Sequence, residues 1–92
     1  MIQSFCCKQT RSLFEGGDPR SFRAFKDVAI RKLTQLDAAQ TLDFVRSPPG
    51  NQLEALKGAR KGQHSIRINA QFRVCFVWTE NGPSDVEIVD YH

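Results

Sequence analysis

Asp90, Tyr91 and His92 stand in consecutive positions at the end of the sequence: a carboxylate, a phenol and an imidazole. All three can move protons, and His92 is expected to carry the α-carboxylate as well. Directly before them, Asp85-Val86-Glu87-Ile88-Val89 alternates apolar and polar side chains and predicts a strand. A strand ending on three such groups sets acid and base chemistry at the edge of a sheet. Upstream, Gln63-His64-Ser65-Ile66-Arg67-Ile68 and Phe72-Arg73-Val74 add cationic side chains. Imidazole, carboxylate and guanidinium, in a sequence with no metal-ligand motif, point to phosphodiester cleavage by general acid-base catalysis.

Each candidate has a plainer explanation beside the chemical one. Arg73 lies within an apolar strand and must reach either an anion or solvent. A turn at Asn69-Ala70-Gln71 aligns Ile66 with Val74 and places Arg67 beside Arg73. Like charges in directly opposed positions are unfavourable, and a phosphate between them removes that penalty. Two arginines splayed into water account for the pattern equally well. His92 suits a general acid or base by its titration range, or is a frayed terminal residue. Tyr91 can stack on a base, donate a proton, or pack across strands. Asp90 can orient His92, accept a proton, or partner an arginine. Lys57, near Arg60 and Lys61, belongs to a basic stretch that is either catalytic or merely solvated. Arg46, Arg60, Lys61 and Arg67 are candidate phosphate contacts, or cations of an ordinary solvated surface. His64 reads as a packed strand residue and is not a candidate.

The elements that must position these groups fall into two halves. Met1 to Phe5 suits a short first strand, and Lys8 to Glu15 a short helix stopped by Gly16-Gly17. Asp18-Pro19 reads as an N-cap followed by proline at the first helical position. Phe22, Phe25, Val28, Ala29, Leu33 and Leu36 describe one face of a helix over 21–36. Arg23, Lys26, Asp27, Arg31 and Lys32 take the remaining positions. Asp37 to Val45 predicts a short third helix. Ser47-Pro48-Pro49-Gly50-Asn51 breaks the chain before the β half. There, Phe72, Val74, Phe76 and Trp78 share a side opposite Arg73, Cys75 and Val77. For the last hairpin a five-residue loop, Glu80 to Ser84, groups Val86 and Ile88 with that apolar side and brings Tyr91 opposite Arg73. The competing two-residue turn at Asn81-Gly82 pairs Arg73 with Asp90 and puts Glu87 beside Phe76.

At 92 residues the chain is expected to be a single domain, 1–92, with one modest core. A net charge of +3 suits an anionic partner without demanding one. Cys6, Cys7 and Cys75 form neither a disulfide framework nor a ligand spacing, which predicts a reducing cytoplasm and no metal. No signal peptide or membrane-length apolar run is visible.

The chain resembles HigB-type toxins of the RelE/ParE superfamily of bacterial toxin-antitoxin modules. The resemblance is carried by Ile2-Gln3-Ser4-Phe5, Leu56-Lys57-Gly58, Gly62-Gln63-His64-Ser65-Ile66-Arg67, Phe72-Arg73-Val74-Cys75-Phe76 and Val86-Glu87-Ile88-Val89-Asp90-Tyr91-His92. It implies an α+β, RelE-like fold: a small antiparallel sheet with two or three N-terminal helices packed on one face. The implied activity is ribosome-dependent endoribonuclease, cutting messenger in the A site and leaving a 2′,3′-cyclic phosphate, without a cofactor. The implied partners are the ribosome with its messenger and a HigA-type helix-turn-helix antitoxin, with operator DNA reached only through that antitoxin. By the same resemblance Lys57 and Arg73 stabilise phosphate charge, and Asp90, Tyr91 and His92 form the acid-base group. Glu54 stands where some relatives have a histidine. Two alternatives are a gyrase-inhibiting ParE-like toxin and a non-catalytic RNA-binding module.

Overall fold

Phe72, Val74 and Phe76 alternate with Arg73 and Cys75, and this period of two makes the central strand of the protein. In a computed structural model the protein is described over residues 1–90, without the side chain of Pro49. Four strands, β1 (Glu54–Ala55), β2 (His64–Arg67), β3 (Phe72–Thr79) and β4 (Gly82–Asp90), form an antiparallel sheet in the order β1-β2-β3-β4. Three helices, α1 (Lys8–Phe14), α2 (Lys26–Ala38) and α3 (Leu42–Arg46), precede the sheet in sequence. The fold is the expected α+β arrangement. Leu13, Phe25, Ala29, Leu33 and Leu36 of the helical layer share one core with Ile66, Val74, Phe76, Val86 and Ile88 of the sheet. The other sheet face is thereby left to Ser65, Arg67, Arg73, Cys75, Glu87 and Val89.

The expected long helix is divided. Arg20–Phe25 is a 3-10 turn, and α2 begins only at Lys26 because Phe25 leaves helical geometry at φ −131°, ψ 25°. The tighter winding lets both Phe22 and Phe25 face the core, with the Phe25 ring tilted 35° against Phe72 at a centroid distance of 4.5 Å. Asp18 makes no side-chain cap; it pairs with Arg23 at 3.0 Å and Lys26 at 3.4 Å instead. The third helix starts later than expected, at Leu42, where the Thr41 hydroxyl accepts from the Phe44 amide. Met1 to Phe5 does not form a regular strand. It lies along β4 in parallel, with a bridge between Phe5 and Val86. The Thr10 hydroxyl, fully buried, accepts from the Ile88 amide and ties α1 to the same strand.

The β2–β3 register is the expected one, with Ile66 opposite Val74 and Arg67 opposite Arg73. Asn69 shapes the intervening turn by accepting from the amides of Gln71 and Phe72, each at 2.8 Å. The β3–β4 hairpin differs from both expected registers. Thr79 pairs with Gly82, so the loop is Glu80-Asn81. The register then shifts between Cys75 and Val77, where Asp85 and Val86 both lie against Phe76. Asp85 takes φ 52°, which makes room for the extra residue. This bulge returns Val86 and Ile88 to the core side and sets Val89 opposite Arg73, a pairing that neither expected register gives.

Candidate active site

Arg73 does not splay into solvent. Its residue is 8% exposed, and its side chain lies over β2 with two anchors. Nε donates to the Ser65 hydroxyl at 2.7 Å, and Nη2 donates to the Gln52 carbonyl at 2.6 Å. Ser65 stands on the same sheet face because it is two positions from Arg67 along β2 and pairs with Cys75. Gln52 follows the 3-10 turn Pro49–Asn51 and takes left-handed backbone angles, φ 46°, ψ 59°. Nη1 makes no bond to a described residue. Among the described residues neither Arg73 nor the half-buried Arg67 opposite it has a carboxylate partner. Two guanidinium groups in register, without a carboxylate partner among the described residues, have the chemistry to hold an anion on this face.

Arg60 reaches the same face by another route. Lys57 leads into the 3-10 turn Gly58–Arg60, and Arg60 Nη1 lies 3.1 Å from Glu87 Oε1 on β4. It also donates to Gln63 at 3.0 Å. Cys75, cross-strand from Glu87, is fully buried. Burial pushes its thiol pKa up; the charge of Arg60 opposes the shift, Glu87 adds to it, and Arg73 opposes it. Fully buried, and with its thiol disfavoured as the thiolate, Cys75 is a packing residue rather than a nucleophile.

The remaining candidates are distributed less tightly. Lys57 and Lys61 are exposed on the loop that carries Arg60. Arg46 sits on α3, exposed and 3.6 Å from Asp43 within its own helix, so the structure does not join it to the sheet-face group. Asp90 ends β4, exposed, and accepts from Gln71 Nε2 at 3.0 Å. Tyr91 and His92 lie outside the described residues. Glu54 is exposed on β1 opposite Ser65. His64 stacks on Phe76 with its Nδ1 buried and unpartnered.

Sequence reasoning missed the groups that hold Arg73. Ser65 was legible as a same-face neighbour of Arg67. The Gln52 carbonyl carried no signal, because a backbone oxygen is placed only by the path of the chain. Lys32 did carry one: it falls between Ala29 and Leu36, on the buried side of α2.

A family described as RelE-like toxins of type II toxin-antitoxin systems, HigB, matches residues 3–92. The chain belongs to this HigB-like family. It is 46% identical over 57 residues to Toxin HigB-1 of Vibrio cholerae, a match covering 62% of this chain and 60% of that protein. It is 37% identical over 54 residues to an uncharacterized protein of Haemophilus influenzae, covering 59% of this chain and 54% of that one. The chain thus spans between half and two thirds of the length of these curated relatives. The HigB-like match takes in every candidate, Tyr91 and His92 included. Among the described residues of this HigB-like family member no cluster of three or more His, Cys, Asp or Glu is placed to hold a metal ion. No helix among the described residues is long and apolar enough to cross a membrane.

Proposed function

We propose that this HigB-like toxin is a ribosome-dependent endoribonuclease that cuts messenger in the A site and so arrests translation. The observation that supports it best is Arg73: buried, fixed at two points, beside Arg67 in register, with Nη1 directed to no described residue. An arginine held in this way is pre-organised for the charge that builds on a phosphate during transesterification.

In the proposed reaction the ribose 2′-oxygen attacks the adjacent phosphorus while Asp90 or His92 removes its proton. The bond from phosphorus to the 5′-oxygen breaks, and His92 or Tyr91 protonates that leaving oxygen. A 2′,3′-cyclic phosphate and a 5′-hydroxyl result. Arg73 and Lys57 stabilise the negative charge gained in between. Arg67, Lys61 and Arg46 hold neighbouring phosphates, and Arg60 does so from its position beside Glu87. Dependence on the ribosome fits an acid-base group that needs its RNA held in line for attack. The toxin acts in the cytoplasm. A HigA-type helix-turn-helix antitoxin restrains it, and operator DNA is reached through that antitoxin.

The deciding experiment places a defined messenger on ribosomes, adds the toxin, and maps the ends formed. A-site cuts with cyclic-phosphate ends, lost with Arg73→Ala, support the reading. Intact messenger together with a block of DNA supercoiling moves the toxin to the gyrase-inhibiting class. Binding of RNA without cleavage makes it a binding module.

A further inference from the structure

Lys32 is the least expected side chain in the helical layer. It occupies the buried side of α2 and is 9% exposed. Burial disfavours its charge, and the neighbouring charges of Arg31 and Arg67 disfavour it further, so its pKa is lowered. An aliphatic residue there would avoid that cost. What Lys32 provides is a hydrogen bond: Nζ donates to Oδ1 of Asn51. Asn51 is itself fully buried and satisfied at every polar side-chain position, with Nδ2 donating to Gln35 Oε1 at 3.1 Å and to the Val45 carbonyl at 2.9 Å. One amide therefore staples α2, through Lys32 and Gln35, to the end of α3.

The next residue in the chain is Gln52, whose carbonyl accepts from Arg73. Gln52 is in the left-handed region, where a side-chain-bearing residue stays only if its surroundings hold it. Asn51 is the nearest fixed point. A shift of Asn51 moves the Gln52 carbonyl, and with it one of the two anchors of the Arg73 guanidinium.

We propose that the Lys32–Asn51 clamp is a positioning device for Arg73, with Lys32 acting through Asn51 and the Gln52 carbonyl and never touching RNA. The functional part of this proposal rests on the reading of Arg73 as the group that stabilises phosphate charge. The geometric part, that Lys32 determines where Arg73 sits, does not depend on it.

The test compares wild type, Lys32→Met, Arg73→Ala and the double variant. Methionine is one atom shorter than lysine, keeps an unbranched apolar stem and removes the donor. The first readout is the Nε–H resonance of Arg73, assigned by its absence from Arg73→Ala. In a folded Lys32→Met protein it is expected to shift and to exchange faster with solvent. The second readout is messenger cleavage on ribosomes. At saturating toxin the Lys32→Met rate is expected to fall by roughly tenfold to a hundredfold, as a small misplacement of a catalytic group does, with the half-saturating concentration unchanged. In the Arg73→Ala background the same substitution adds no further loss. An unmoved Arg73 resonance in folded Lys32→Met, or losses that multiply in the double variant, overturns the proposal. If the wild type cuts no messenger, the proposed activity falls while the resonance still decides the geometry. Should Lys32→Met fail to fold, Gln35→Ala decides in its place: it loosens Asn51 from the half-exposed rim of the same clamp, and an unmoved Arg73 resonance there sinks the idea.

Discussion

Arg60 Nη1 lies 3.1 Å from Glu87 Oε1, joining the basic loop after β1 to the far strand of the sheet, with Cys75 buried in register beside Glu87. A residue that sequence places among RNA contacts thus also closes the sheet face. Both side chains are partly exposed, so the pair is screened and contributes about 0.5–1 kcal/mol. Arg60→Ala should lower the melting temperature by a few degrees and let thiol reagents reach Cys75. In wild type, Cys6 is exposed and should react first. Labelling followed by peptide mapping reads both. Equal protection of Cys75 in wild type and Arg60→Ala would show that Arg60 does not close this face.

Removing Arg73 should cost far more activity than stability. Arg73→Ala is expected to reduce cleavage by about 10²–10³-fold, the usual loss for one donor to a developing anion. Arg73→Lys should not restore it, because an ammonium cannot reproduce the two-point hold on Ser65 and Gln52. Ser65→Ala removes one anchor, and roughly a fivefold fall corresponds to the ~1 kcal/mol of such a bond. Single-turnover cleavage by proteins with matching circular dichroism makes the comparison. Wild-type rates from folded Arg73→Ala would take Arg73 out of the reaction.

The bulge in β4 makes a prediction about backbone rather than side chains. Asp85 adopts φ 52°, a conformation that a β-branched residue avoids. Asp85→Val should destabilise the protein by about 1–2 kcal/mol, whereas Asp85→Gly should be neutral or slightly stabilising. Urea unfolding of the two variants measures it. A valine tolerated without loss would mean that the register shift lies elsewhere.

At the core, Phe76 is fully buried beneath the helical layer and faces the bulge. Phe76→Ala should remove about 3–5 kcal/mol, a large part of the stability of a domain of this size. Denaturant midpoints test this, and a loss below 1 kcal/mol would contradict the packing described.

Much of the scaffold was legible in the chain because it depends on local periodicity. The two-residue alternation around Phe72, Val74 and Phe76 determines which sheet face is apolar. That face, with the length of the Asn69-Ala70-Gln71 turn, determines that Arg67 stands beside Arg73. The same parity predicted that Val86 and Ile88 return to the core, even though the hairpin register was not the expected one. A bulge preserves the facing of side chains while changing their partners, and periodicity reports only the facing.

What only the tertiary structure decided is how the cations are held. A sequence cannot say that the Arg73 side chain lies across β2 to a backbone oxygen of Gln52, since that oxygen is placed by segments far apart in the chain. Nor can it say that Arg60 meets Glu87, or that Lys32 turns inward to Asn51. The residue types needed for phosphate chemistry are a property of the sequence. Their orientation follows from packing two layers together, because only then do distant donors and acceptors compete for the same buried space.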